Sequence, residues 1–345
     1  MQVLEQVLLA PYTTFGIGGP ARWFVEASTE DEVLEAVWFA HERNAPLFVL
    51  GGGSNLLVSD AGFPGVVLRI SLKGIEQKGT SESTMFSVAA GEDWDAFVTL
   101  AVGQNYVGIE CLAGIPGTVG GTPVQNVGAY GQEVAETIRL VRALDLRTMK
   151  YIELPAKKCG FAYRRSIFNG SERGRYIVTR VGYELRNGLN ASFSYADLKR
   201  YFGDWARQPT LSEVSLAVRE IRHQKGMLIV AGDPDCRSAG SFFKNPIISA
   251  EHFARITASM EGMSVPSYPA ADGQVKIPAA WLLDQAGFHK GYALGRAGIS
   301  ARHTLALINR GGASASDMTA LRDAIVAKVL ERFAIRLEPE PVWVG

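Results

Sequence analysis

Two glycine-rich runs far apart in the chain, Gly51-Gly52-Gly53-Ser54-Asn55 and Gly114-Ile115-Pro116-Gly117-Thr118-Val119-Gly120-Gly121, are its most informative chemical feature. Without a Cβ in the way, backbone N–H groups can close on an extended pyrophosphate from two sides. Neither run is followed by what a nucleotide-binding helix needs. The first passes straight into the β-like stretch Leu56-Leu57-Val58-Ser59, and no Gly-Lys-Ser/Thr follows it. That argues against a Rossmann fingerprint and a P-loop, and for a dinucleotide lying between two lobes. A single glycine-rich turn is most often only a tight turn. The second run, however, continues through Thr122-Pro123-Val124-Gln125-Asn126-Val127-Gly128-Ala129-Tyr130-Gly131 with no charge until Glu133. Such a stretch forms neither a helix nor a regular strand, and long irregular stretches inside compact domains are usually functional.

The elements that must position these loops read as mixed α and β. Thr29 with Glu32 forms a capping box opening a helix to about Arg43, with Val33, Val37 and Leu34, Trp38 at helical spacing. Pro46–Leu50, Gly65–Ile70, Phe86–Ala90, Ile138–Leu146 and Tyr176–Leu185 read as strands, and Asp93–Gln104 as a helix. A second capping box, Thr210 with Glu213, starts a helix whose apolar face is Val214, Val218 and Ile221. Just before it, Gly203-Asp204-Trp205-Ala206-Arg207-Gln208-Pro209 reads as a domain boundary. Further helices are expected near His252–Met260, Pro278–Ala286 and Ser316–Phe333, the last with Met318, Leu321, Ile325 and Val329 on one face.

Composition narrows the function. At 345 residues the chain exceeds what one hydrophobic core usually serves, so two or three domains are expected. Lys plus Arg number 35 and Asp plus Glu number 35, so nothing points to a nucleic-acid partner, whose binders carry a basic patch. Glu5 stands where a signal peptide is basic, and no apolar run approaches membrane-spanning length, so a soluble cytoplasmic protein is expected. Three cysteines lack a paired spacing and five histidines form no cluster, so no metal is expected.

The chain resembles the UDP-N-acetylenolpyruvoylglucosamine reductase family in collinear motifs spanning nearly its whole length. They are Thr14-Phe15-Gly16-Ile17-Gly18-Gly19, Gly51 to Leu57, Gly114 to Gly131, Tyr163-Arg164-Arg165-Ser166-Ile167-Phe168, Ala239-Gly240-Ser241-Phe242-Phe243-Lys244-Asn245-Pro246, Pro278 to Asp284, and Leu337-Glu338-Pro339-Glu340. The resemblance implies an α+β fold: a two-lobed FAD-binding fold of the vanillyl-alcohol-oxidase (PCMH) type plus a separate α+β substrate-binding domain. Carried onto this chain, the lobes are residues 1–70 with 335–345 and 71–208, and the substrate domain is 209–334. The boundary stretch read from composition agrees with that division.

The family's activity implies noncovalent FAD, NADPH as reductant, and reduction of the enolpyruvyl group of a UDP-sugar to UDP-N-acetylmuramate for peptidoglycan, with a monomer expected. Hydride delivery to an enolpyruvyl ether needs the attached carboxylate to absorb negative charge, and fixed donors aimed at developing charge contribute on the order of 3 kcal/mol each. The resemblance puts that donor at Arg164, whose planar fork suits a carboxylate, and not at Arg165, where the family often has an acidic or other polar residue. It makes Glu340 the second electrophile, Ser241 the proton donor to the carbon alpha to the carboxylate, Tyr195 a residue closing over the sugar nucleotide, and Lys225 and Asn245 diphosphate and uridyl contacts. The FAD candidates are Gly51, Gly52, Gly53, Ser54, Asn55, Gly114, Gly117, Gly120, Gly121, Asn126 and Gly128.

Two departures from the family pattern stand out. Lys225 to Ser241 is longer than the short link of the tyrosine-loop class, which bears on the substrate grip, and Pro341 replaces the usual apolar strand residue after Glu340. Two rival readings are a flavin oxidase or dehydrogenase acting on an alcohol or sugar lactone, which the Ser241 and Glu340 motifs oppose, and a non-enzymatic nucleotide-binding protein, which would be colourless.

Overall fold

The structure is a computed structural model describing residues 1–345 apart from Ser81, Ser192, Asp204 and Glu261. Asp204, within the expected boundary stretch, therefore lies outside the described residues. Two compact units divide the chain. The first comprises residues 1–7, 20–53 and 63–224, and the second 8–19, 54–62 and 225–345.

Two larger sheets dominate the first unit. One has the order Val3–Leu8, Pro20–Ala27, Phe63–Ile70, Leu47–Leu50, with Phe63–Ile70 parallel to both its neighbours. The helix Glu30–Glu42 begins as the sequence predicts: Thr29 Oγ1 accepts the Glu32 N–H, while the Glu32 carboxylate takes the N–H of Ser28. Its buried stripe is Val33, Ala36, Val37 and Ala40. Trp38, expected on an apolar face, is 45% exposed, because the helix turns Ala36 and Ala40 inward instead.

The second sheet is antiparallel, with Tyr176–Asn187 at its centre between Ile138–Asp145 and Ser83–Ala89. Its twelve-residue central strand is buried at Ile177, Val178, Thr179, Val181, Gly182, Tyr183 and Leu185, and a strand covered on both faces reads in sequence as a near-continuous apolar run. Helix Trp94–Gly103, capped by Asp93, adds the buried Trp94, Phe97 and Val98 to the same core. Helix Leu211–Gln224 starts at the expected Thr210/Glu213 box, with reciprocal bonds to both backbone N–H groups.

The second unit gathers the short segments 8–19 and 54–62 with the C-terminal third of the chain. Its core packs Phe15, Ile17 and Leu57 with Phe242, Phe243 and the inner face of helix Ala315–Phe333. That face is Met318, Leu321, Ile325 and Val329, as the period predicts. Asp60 accepts the Ala315 and Ser316 N–H groups at 2.7 and 3.0 Å, so a residue from the early chain supports the N-terminus of a helix 255 positions later. The closing strand Val342–Val344 runs parallel to Leu56–Val58. Pro341 sits just before it, where its missing N–H interrupts no pairing. Among the described residues no helix is long and apolar enough to cross a membrane, and no cluster of three or more His, Cys, Asp or Glu could hold a metal ion.

Candidate active site

The three glycines of the first run and the whole second run fall in the first unit, and they touch. A Cβ on Gly52 would lie 2.5 Å from Gly117 Cα, and one on Gly51 would lie 2.9 Å from Thr118 Oγ1. The close approach of two backbones is what demands glycine here. Gly53 at φ 65° turns the chain out of the loop, and the boundary between units falls between it and Ser54.

The second loop is held from below. Trp94 N–H donates to Gly117 O, Val119 N–H to Glu92 O, and Gly120 N–H to Ala90 O. Gly114 is gripped at both ends: Asp95 Oδ1 accepts its N–H at 2.5 Å, and Arg222 Nε donates to its carbonyl at 3.0 Å. Asp95 is itself paired with both terminal nitrogens of Arg219. Several loop N–H groups are thus spent inside the protein, and the run contributes mainly a fixed, uncharged backbone surface. A Cβ on Gly121, by contrast, would meet no protein atom within 4 Å. The bare, preformed cradle fits a flavin dinucleotide pyrophosphate.

Asn126, almost fully buried, is a pin. Its Nδ2 donates to Glu133 and to the carbonyl of Ala162, and its Oδ1 accepts from Ala135 N–H. It thereby ties the second loop to the turn that carries Arg164. That turn is closed by reciprocal bonds between Ala162 and Arg165, with Tyr163 and Arg164 at its tip. Arg164 sits at φ 54°, a left-handed conformation that costs a residue with a Cβ some energy and is enriched at functional sites. Its Nε is buried, while Arg165 is exposed. Asn169 fastens the turn from behind through the Arg164 carbonyl.

Tyr195 caps the start of helix Ala196–Phe202 and is 44% exposed, with its ring edge-on to Tyr130 at 5.4 Å. Burial pushes the Tyr130 phenol up to about 12, so it remains a hydrogen-bond donor at neutral pH. Gly128 lies in a two-residue strand paired with Gln132-Glu133.

In the second unit, Ser241 and Glu340 come together although 99 positions separate them. Glu340 N–H donates to Phe242 O at 2.8 Å, Lys244 N–H donates to Glu338 O at 3.0 Å, and Phe243 faces Pro339 across this short antiparallel pairing. Two different side chains claim the two glutamates' surroundings. Lys244 Nζ donates to the Glu338 carboxylate at 2.6 Å, whereas Asn55 Nδ2 donates to the main-chain carbonyl of Glu340 at 3.2 Å. Glu338 is exposed and Glu340 half-buried. Gly240, at φ 70°, bends the chain immediately before Ser241.

Asn55 is thereby joined to the Glu340 strand, which its carbonyl also holds by accepting Val342 N–H, and Ser54 O accepts from Thr14 Oγ1. Asn245 Oδ1 accepts Ala279 N–H at 2.8 Å, so its oxygen secures the helix Ala279–Gln285. Lys225 follows directly after helix Leu211–Gln224.

Sequence reasoning missed Asp95, Arg219 and Arg222. A lone arginine on an amphipathic helix reads as a solvated charge, and no local signal marks Arg222 as buried beside Ile221. It named Thr14 only as the first residue of a family motif, with no role for its hydroxyl, which reaches Ser238 O at 2.6 Å.

A family model described as UDP-N-acetylenolpyruvoylglucosamine reductase, C-terminal domain, matches residues 233–344, and one described as FAD binding domain matches residues 21–150. The chain is 46% identical over 349 residues to the UDP-N-acetylenolpyruvoylglucosamine reductase of Thermobifida fusca, covering 99% of this chain and 98% of that one. With the enzyme of the same name from Pseudomonas putida it shares 39% over 344 residues, again 99% and 98%. The crystal structure of UDP-N-acetylenolpyruvylglucosamine reductase from Thermus caldophilus matches with a TM-score of 0.68 at 29% identity, covering all of both chains. The fold class is the one the resemblance implied, α+β with an FAD-binding part and a separate C-terminal domain.

Proposed function

Because the chain belongs to the UDP-N-acetylenolpyruvoylglucosamine reductase family, we propose that it uses NADPH and noncovalent FAD to reduce the enolpyruvyl group of UDP-N-acetylglucosamine enolpyruvate to UDP-N-acetylmuramate. The reaction belongs to peptidoglycan precursor synthesis in the cytoplasm, with the chain acting as a monomer. FAD, when bound, supplies hydride transfer. Gly51 to Asn55 and Gly114 to Gly128 provide the backbone surface for its pyrophosphate.

Hydride addition at the terminal carbon of the enol ether pushes the alkene electron pair toward the carbon bearing the carboxylate. Arg164 grips that carboxylate with its planar fork and absorbs the developing charge. Glu340 assists as the second electrophile, its carboxyl group held in a half-buried position beside the reacting carboxylate. Ser241 delivers the proton to the alpha carbon, completing addition of two hydrogens, and is reprotonated from solvent. Tyr195 covers the sugar nucleotide, Lys225 faces its diphosphate, and the Asn245 amide reaches the uridyl group.

The observation that carries this reading is the pairing of Glu340 with Phe242, which sets the carboxylate-bearing strand beside Ser241 while Lys244 takes Glu338 away. An anaerobic cuvette tests it. NADPH should bleach the protein's flavin absorbance, and the enolpyruvyl nucleotide should restore it with formation of UDP-N-acetylmuramate. Failure of the enolpyruvyl nucleotide to restore colour refutes the assignment, and bleaching by NADH faster than by NADPH refutes the reductant.

A further inference from the structure

The segment from Lys225 to Ser241 joins two residues of the proposed site, and one side chain outside it organises its fold. Arg302 Nε donates to Asp235 Oδ2 at 3.0 Å, and its Nη2 donates to Asp233 Oδ2. Asp233 in turn accepts Asp235 N–H at 2.9 Å. On its other side the guanidinium packs on Gly226: a Cβ there would lie 3.0 Å from Nε, and Gly226 has φ 65°. Arg302, Asp233 and Asp235 are 26%, 20% and 13% exposed, so the cluster is partly withdrawn from solvent. Burial works to raise the Asp233 carboxyl, and the Arg302 guanidinium together with the Asp235 N–H outweighs it, so the carboxyl stays below its usual range.

The cluster is the first of a series of ties leading to Ser241. Asn309 N–H donates to Arg237 O at 3.0 Å, Thr14 Oγ1 to Ser238 O at 2.6 Å, and Phe242 N–H to Leu305 O at 2.8 Å. Leu305 follows Arg302 by three residues, so one short stretch, 302–305, holds both the turn at Asp233–Asp235 and the residue after Ser241.

We propose that Arg302 is a positioning residue: by bridging Asp233 and Asp235 over Gly226 it fixes the Lys225–Ser241 segment and so holds the Ser241 hydroxyl in place for proton delivery. A planar fork reaches two carboxylates at once, whereas a single ammonium holds only one of them. The inference rests on the reading of Ser241 as proton donor.

The test uses FAD-loaded full-length Arg302→Met, Arg302→Lys and wild type. In Arg302→Met, flavin bleaching by NADPH keeps its wild-type rate, while anaerobic reoxidation by the enolpyruvyl nucleotide slows by about tenfold or more, the size of loss a displaced reacting group produces. Arg302→Lys lies between the two, and the solvent deuterium effect on reoxidation grows as proton transfer becomes limiting. Independently of turnover, amide exchange over residues 226–241 quickens in Arg302→Met while helix Ala315–Phe333 stays protected. Unchanged reoxidation, or equal slowing of both half-reactions, overturns the proposal. Wild-type protein that the enolpyruvyl nucleotide does not reoxidise overturns instead the functional reading beneath it.

Discussion

Glu340 donates its backbone N–H to the carbonyl of Phe242 at 2.8 Å, so main-chain pairing joins Glu340 to the residue directly after Ser241. Glu338 lies two residues away, but its carboxylate is bonded to Lys244.

This separates the two glutamates experimentally. Glu340→Gln is expected to lower kcat and kcat/KM together by about 10²- to 10³-fold with little change in KM, the pattern of a group acting in the transition state. Glu338→Gln removes a surface ion pair worth under about 1 kcal/mol and stays near wild type. Steady-state kinetics on both variants decide the matter, and the reverse ranking eliminates the role of Glu340.

Ser241→Ala divides the catalytic cycle. Reduction by NADPH needs no proton donor at this position, so bleaching proceeds normally. Reoxidation by the enolpyruvyl nucleotide slows by about 10²-fold or more, in the range of lost acid catalysis. Stopped-flow absorbance of the flavin measures both steps, and normal recolouring removes Ser241 from the mechanism.

The adjacent arginines offer a matched pair. Arg164→Lys keeps the charge and loses the fork, and is expected to lower turnover by about 10²-fold. Arg165→Ala, at an exposed position, leaves turnover within about twofold, as surface changes generally do. Equal losses in the two variants would show that the turn, and not the Arg164 guanidinium, is what matters.

Gly52→Ala and Gly121→Ala test the cradle in different ways. At Gly52 a methyl group would lie 2.5 Å from Gly117 Cα, so the loops must part, and thermal unfolding of the apoprotein falls by several degrees, equivalent to about 1–3 kcal/mol of overpacking. At Gly121 a methyl meets no protein atom within 4 Å, so the melting temperature of the apoprotein holds while FAD affinity, read by flavin fluorescence, drops. Unchanged FAD affinity in Gly121→Ala places the pyrophosphate away from this residue.

Much of this protein was legible from local patterns. The capping boxes at Thr29 and Thr210 start helices because the side-chain bonds that make them are three residues long. The inner face of the last helix follows from its period alone, since Met318, Leu321, Ile325 and Val329 recur at helical spacing and all are buried. The glycine runs announced a close backbone approach, because only residues without a Cβ permit the contact of Gly52 with Gly117.

What the tertiary structure alone decided are relationships between residues remote in the chain. Nothing near Asn55 indicates that it reaches Glu340, nothing near Arg222 that it lies buried under Gly114, and nothing near Asp60 that it supports the helix beginning at Ala315. Trp38 misled for the same reason: helical spacing names a stripe, and the neighbouring sheet chooses which stripe to cover. Spacing two apart left Glu338 and Glu340 equivalent, since both point to one side of an extended strand. Their difference comes from Lys244, 94 positions earlier, which only chain folding brings within 2.6 Å of one carboxylate. Local sequence encodes periods, caps and backbone freedom, whereas burial and long-range pairing depend on which surfaces the folded chain brings into contact.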